Sequence, residues 1–298
     1  YYILCVLYIM CTIYYVYYIL CVLYYIVGIC GRTGCGKSSL SLALAGALKY
    51  TSGSIYINNI EKSRFNSIHA YRQEIQVFPQ DCYILEGTLR ETLDPDGIHG
   101  DMKLNQLIHE FSSLVMLTGD GNGNNSGNNS NNNSGSNGNN SDTTSSGADV
   151  TKRMALNHKI EPGGNNLSAG QKQVLILSRA ALADCSVIIL DEIFSNLDIQ
   201  SAHRAMAIIK QEVLQRNVSV LLIAHTLQDI ALCNALLVME KGQIVERGKP
   251  LELLMQHTNN STNINTGHTN NTNKFTEMLI EMGGEAEVER LISLLQYS

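Results

Sequence analysis

With 298 residues, 44% of them hydrophobic, the chain can form one large domain or two modest ones around a real core, and one domain with appendages is the simplest fit. A formal net charge of −6 argues against a nucleic-acid binder, which would need a basic face. The eight cysteines show neither C-x-x-C nor Cys/His metal spacing, and they fit a reducing, cytosolic face.

Residues 1–27 carry no charge, proline, glycine or asparagine, and YYILCVLY at 1–8 recurs at 17–24. The stretch is long and apolar enough for a membrane span, yet its tyrosines run through the middle instead of forming two interfacial belts. It lacks the Gly, Asn, Asp or Pro of hairpin turns, which argues against a strand meander. A low-complexity stretch without a native role, a membrane segment and core strands all stay open. The chain starts at Tyr1 without an initiator methionine, so we expect a piece of a longer polypeptide.

An apolar run, Ile26 to Cys30, leads into Gly31-Arg32-Thr33-Gly34-Cys35-Gly36-Lys37-Ser38 and then into helix-prone Ser39 to Ala45. The eight residues fit G-x-x-x-x-G-K-[ST] without a mismatch, in the strand, loop and helix context that the pattern requires. Glycines let the backbone turn tightly with its N–H groups inward, and the helix adds its positive dipole end. A polyphosphate suits such a cradle, with Lys37 neutralising its terminal phosphates and the Ser38 hydroxyl holding Mg²⁺. The alternative is a plain glycine turn between strand and helix. Cys35 has two readings, a thiol activated by the helix start and Lys37, or simply a small residue.

Further along, Gly53 to Ile57 alternates as a strand before Asn58-Asn59, and Ile75 to Asp81 reads as a buried strand from which Gln80 emerges on a loop. A helical turn from Gly87 stops at Pro95, and a helix is expected over about 103–117. Residues 119–147 collapse to Asn, Gly and Ser, and 258–273 to Asn and Thr, so both are expected as disordered insertions. After Leu167-Ser168-Ala169-Gly170-Gln171 comes a long helix, then the buried strand Val187 to Leu190 with Asp191 and Glu192 at its end. Ligands bind at such strand ends in open α/β sheets, and the carboxylates read as a Mg²⁺ contact and a base for water, or else as caps for the next helix. Asp198 is a candidate helix N-cap. His225 ends another β-rich run, and position alone leaves open a γ-phosphate contact or a structural histidine. A hairpin across Lys241-Gly242 and two amphipathic helices, expected as a C-terminal appendage, close the chain.

Taken together, the motifs resemble the nucleotide-binding domain of the ATP-binding cassette (ABC) family over about residues 26–257. They occur in the family's order: the glycine loop, Gln80, the LSAGQ signature, Asp191-Glu192, Ser195 to Asp198, and His225. The stretch from Gln80 through Gly87-Thr88-Leu89-Arg90 to Pro95 is similar to the second such domain of the C subfamily, the multidrug-resistance-associated exporters. The implied fold is α/β, a P-loop NTPase three-layer core with a helical signature subdomain over about 82–183 and most of the upstream β-subdomain missing. The implied activity is ATP hydrolysis by a head-to-tail pair of cassettes that drives transmembrane domains from the cytosolic side of a membrane.

The resemblance assigns Glu192 as general base, His225 as the link between γ-phosphate and water, and Gln80 and Lys37 as further catalytic groups. It assigns ATP to residues 31–39, including Ser39, and in trans to Ser168, Gly170 and Gln171. Mg²⁺ falls to Ser38, Gln80 and Asp191. Ile193-Phe194 and Asn196 depart from the family pattern, which bears on rate and dimer fit, and the adenine-stacking residue is unassigned. A truncated cassette with little or no ATPase activity, or a soluble ABC ATPase outside transport, are the competing readings. Sustained heptads, which chromosome-maintenance ATPases place between glycine loop and signature, are absent here.

Overall fold

The computed structural model describes residues 7–11, 15–19, 26–49, 53–79, 83–117, 156–194, 197–261 and 273–296. Two antiparallel strands come first, β1 (Leu7–Cys11) and β2 (Tyr15–Ile19). Next are β3 (Ile26–Gly31) and α1 (Lys37–Leu44), then β4 (Ile55–Ile57) and β5 (Ile60–Glu61), joined through the left-handed Asn58 and Asn59. β1 pairs with β4, so the Tyr-rich repeat supplies two strands of a four-stranded sheet ordered β2-β1-β4-β5. This corrects the expectation drawn from the missing turn residues. Aromatic and β-branched residues suit a pleated surface, and here that preference outweighs the absent turn signal. Among the described residues no helix is long and apolar enough to cross a membrane.

The chain continues through α2 (Ile68–Gln73), β6 (Ile75–Phe78), β7 (Gly87–Thr88), α3 (Leu89–Leu93), α4 (Asp101–Leu117), β8 (Lys159–Ile160) and α5 (Ala169–Leu182). β9 (Val187–Asp191), α6 (Ile199–Arg216), β10 (Ser219–Ile223), α7 (Leu227–Ala231), β11 (Ala235–Glu240) and β12 (Gln243–Gly248) complete the core. The large sheet runs β12-β11-β3-β10-β9-β6, and every pairing is parallel except β11 with β12.

Alternation along these strands builds three layers. Ile188, Leu190, Val220 and Leu222 join one apolar cluster with Phe111 of α4, Leu177 of α5 and Ile209 of α6. Their neighbours Val187, Ile189, Leu221 and Ile223 join the other, with Leu44 of α1, Tyr71 of α2, and Ile55 and Ile57 of β4. Strands covered on both faces read as continuous apolar runs, which is why they are visible in the sequence.

Three helices end the chain, α8 (Pro250–Ser261), α9 (Lys274–Gly283) and α10 (Glu285–Gln296). The structure differs here from expectation. Phe275, Leu279 and Leu291 are fully buried in the main cluster, so α9 and α10 are part of the core rather than an appendage. The Asn/Thr tract is helical at its start, where α8 runs to Ser261. At its end, the Asn273 side chain accepts a hydrogen bond from the Thr276 amide and caps α9. Asparagine competes poorly inside a helix but well at an N-cap, and composition alone hides that distinction. Residues 119–147 and 262–272 lie outside the described residues.

Candidate functional site at the sheet's C-terminal edge

Parallel strands deliver their C-terminal ends to one edge. β3 ends at Gly31, β9 at Asp191 and β10 at Ile223, and the ladders hold Ile29 level with Ile223 and Ile223 level with Asp191. At Gly31 a Cβ would collide with the Met239 carbonyl and approach Cys35 Sγ to 2.6 Å, so only glycine lets the loop leave the sheet this way. Gly34 and Gly36 take left-handed φ values of 81° and 106°. Gly36 is the N-cap of α1 without a side-chain hydrogen bond, leaving the first-turn amides as free donors at the loop. From the opposite side the amide of Gly242, in the β11–β12 turn, donates to the Cys35 carbonyl at 2.8 Å.

Lys37 folds back into this loop. Its Nζ donates to the Gly31 carbonyl at 2.7 Å and reaches the Arg32 carbonyl at 3.4 Å, and the residue is 5% exposed. Among the described residues no carboxylate forms an ion pair with it. A buried ammonium held only by carbonyl oxygens is costly, so this loop fits an anionic occupant. Arg32, Thr33, Ser38 and Ser39 are exposed around it. A cavity of about 240 Å³ opens here, its lining including Gly31, Arg32, Thr33, Lys37, His225, Met278 and Glu281.

Asp191, Glu192 and His225 meet beside that cavity. The imidazole places Nε2 3.5 Å from Asp191 Oδ1 and Nδ1 3.3 Å from Glu192 Oε1. A neutral imidazole has one N–H, so its tautomer decides which carboxylate receives a hydrogen bond. Burial raises the Asp191 carboxyl above its ordinary range, and the nearby His225 and Lys37 oppose that rise while Glu192 adds to it. Glu192 has φ 54°, a left-handed backbone that costs a non-glycine residue of order 1 kcal/mol. The following segment is pinned by Gln173, whose Nε2 donates to the Ile193 carbonyl at 3.1 Å. Ile193 and Phe194, the departures from the family pattern, point into the apolar core.

The signature segment sits elsewhere. Ser168 caps α5 in a reciprocal box, its hydroxyl accepting from the Gln171 amide at 3.2 Å while the Gln171 side chain accepts from the Ser168 amide at 2.9 Å. Leu167 is buried, Ser168 and Ala169 are exposed, Gly170 and Gln171 are half-buried, and none of the five lines the cavity of its own chain. Asp198 caps α6, accepting from the Ser201 amide and hydroxyl at 2.9 Å each. Gln80, Ser195 and Asn196 lie outside the described residues.

Two contributors escape a reading of the sequence. The buried Asp229 closes a capping box with Thr226 and accepts from the amides of His225 and Thr226 at 3.1 and 2.9 Å, which fixes the histidine's backbone. The Thr226-x-x-Asp229 spacing is the available signal. Glu281, on α9, has no local signal at all. Cys35 is 6% exposed and packs with Val27, Ile29, Leu44 and Met239, which favours the small-residue reading over the reactive thiol. Peptide-resolved maleimide labelling of the native chain is therefore expected to modify Cys35 only on unfolding. Rapid native labelling would restore the reactive-thiol reading.

A lysine-bearing glycine loop and a paired-carboxylate strand end, on one edge of a parallel sheet, define a P-loop nucleoside-triphosphate-binding domain. The family model for ABC transporters matches residues 24–195, and the chain belongs to that family, as an ATP-binding ABC-type nucleotide-binding domain. It is 30% identical over 267 residues to the ATP-dependent bile acid permease of Saccharomyces cerevisiae, covering 90% of this chain and 15% of that protein. It is also 30% identical over 234 residues to ATP-binding cassette sub-family C member 10 of Mus musculus, covering 77% of this chain and 13% of the relative. The chain thus spans about a sixth or less of the length of these curated relatives. Its fold is shared with a bacterial Atm1-family ABC exporter solved with ATP bound, at a TM-score of 0.66 and 16% identity over 95% of this chain and 42% of that one.

Proposed function

We propose that the chain is the ATP-binding and ATP-hydrolysing cassette of a membrane exporter, acting from the cytosolic face as one half of a head-to-tail pair. The observation that carries this reading is the convergence of the buried Lys37 with Asp191, Glu192 and His225 on one sheet edge. Lys37 and the amides of residues 31–39 bind the phosphates of ATP. Glu192 takes the proton of the attacking water, and His225 orients that water against the γ-phosphate. Mg²⁺, when bound, neutralises charge on the phosphates. Ser38, Asp191 and Gln80 supply the hard oxygen donors suited to it.

Ser168, Gly170 and Gln171 complete the site of the opposite cassette. Their place at the start of α5, where Ser168 is exposed and Gly170 and Gln171 half-buried, away from their own chain's cavity, supports an arrangement in trans. A second surface suits the transmembrane partner. A groove of about 770 Å³ between β6, α3 and α5 is lined by Gln76, Phe78, Pro95, Ile98 and Arg179, and exposed Tyr83, Leu85 and Met102 lie in the segments around it. The groove is mostly polar, with Glu74, Asp96 and Asp184 beside Arg179 and Arg216, and exposed apolar side chains near a polar groove suit a docking face.

Complementation tests the paired site. Lys37→Ala and Gly170→Asp chains are each expected to be inactive alone. Mixed in equal amounts they should recover about a quarter of wild-type hydrolysis, because half the pairs are mixed and each mixed pair has one intact composite site. No recovery on mixing, with both proteins folded, would refute the arrangement in trans.

A further inference from the structure

One wall of the phosphate cavity comes from α9, which lies 249 residues downstream of the glycine loop at its contact point. The helix is held firmly against the sheet. The Glu246 carboxylate on β12 accepts from the amides of Lys274 and Phe275 at 2.6 and 2.9 Å, and Asn273 caps the same turn. Lys274 Nζ pairs with Glu277 at 2.9 Å and lies 3.9 Å from Glu240 of β11. Phe275, Met278 and Leu279 are buried beneath it. So anchored, α9 carries Glu281 to the cavity mouth, where its carboxylate pairs with the guanidinium Nη2 of Arg32.

This pair is placed oddly for a structural one. Both side chains are half exposed, at 51% and 53%, so the pair adds little to folding. Both also line the cavity that contains Lys37 and His225. A guanidinium fork binds a carboxylate and a phosphate through the same geometry. Glu281 therefore occupies the cation that an incoming polyphosphate would meet at the loop, and it adds a negative charge to the wall that the polyphosphate must approach.

We propose that Glu281 is an internal competitor for the nucleotide's phosphates at Arg32, a positioning residue that holds the guanidinium away from ATP and sets the affinity of the empty site. The inference rests on reading the glycine loop as the ATP site. Binding exchanges one partner of Arg32 for another. Helix α9 thereby senses nucleotide without contacting the reacting atoms.

The test is equilibrium binding of Mg·ATP, with steady-state hydrolysis, on the full 298-residue chain. Glu281→Gln is expected to bind about two- to fivefold more tightly, the span that an exposed ion pair contributes, and to lower KM in step while kcat stays unchanged. Glu281→Asp, which keeps the charge, should remain close to wild type. Glu289→Gln removes an exposed acid of α10 away from the cavity and should change nothing. Unchanged or weaker binding by Glu281→Gln, or equal tightening by Glu289→Gln, would overturn the competitor role while leaving the ATP site intact. A wild-type chain that binds no ATP would overturn both.

Discussion

Replacing Glu192 by glutamine is expected to abolish ATP hydrolysis while leaving ATP binding within about twofold of wild type. A positioned general base contributes roughly 10²- to 10⁴-fold, and the amide keeps the shape of the side chain while removing its capacity to take a proton. The position tolerates the exchange. Glu192 is partly exposed and meets the His225 imidazole, from which a glutamine oxygen can still accept a hydrogen bond. Its left-handed backbone is held by surroundings that the substitution does not touch, among them the Gln173 hydrogen bond to the next residue. Single-turnover hydrolysis with radiolabelled ATP measures the loss, and unchanged melting temperature shows that the fold survives. Wild-type turnover in the variant would remove Glu192 from the mechanism and with it the assignment of the β9 terminus as catalytic.

Lys37→Ala should act earlier, at binding. The ammonium is buried in carbonyl contacts at the centre of the loop, where a charge-assisted bond to phosphate is worth about 1.5 to 3 kcal/mol per contact. Losing contacts to two phosphates gives an expected weakening of at least about 100-fold, read by isothermal calorimetry with Mg·ATP. Lys37→Arg should not rescue it, because a planar fork of donors does not reproduce the single ammonium that donates to the Gly31 carbonyl. Near-normal affinity in Lys37→Ala would mean that the glycine loop is not the phosphate site. The two variants separate steps, since one loses chemistry and keeps ATP while the other loses ATP.

The ABC fold places these groups by simple means. The parallel strands end in register at one edge, and the loop, the carboxylates and the histidine sit directly at the strand ends. This is why Lys37, Asp191, Glu192 and His225 can be read in order along the chain. Each belongs to a local pattern, a glycine spacing or an apolar run ending in a polar residue, and local patterns fix local structure. The signature helix is legible for the same reason, since Ser168 and Gln171 form their capping box within one turn.

What only the tertiary structure decided involves partners far apart in sequence. That β1 and β2 join β4 depends on pairing across the glycine loop and α1, and the Tyr-rich composition suits a membrane span as well as a strand. That Cys35 is buried in the core depends on Met239 and Leu44 packing with it. That α9 forms a wall of the cavity depends on Glu246 of β12 receiving its first amides and on Phe275 filling the main core. A helix's amphipathic pattern says which face it buries and is silent on where it does so, because the burial of apolar area has no direction. The sequence by itself determined the chemistry at the strand ends, where backbone geometry and side chain lie within a few residues of each other. Packing of distant segments decided what encloses that chemistry, including the carboxylate that faces Arg32.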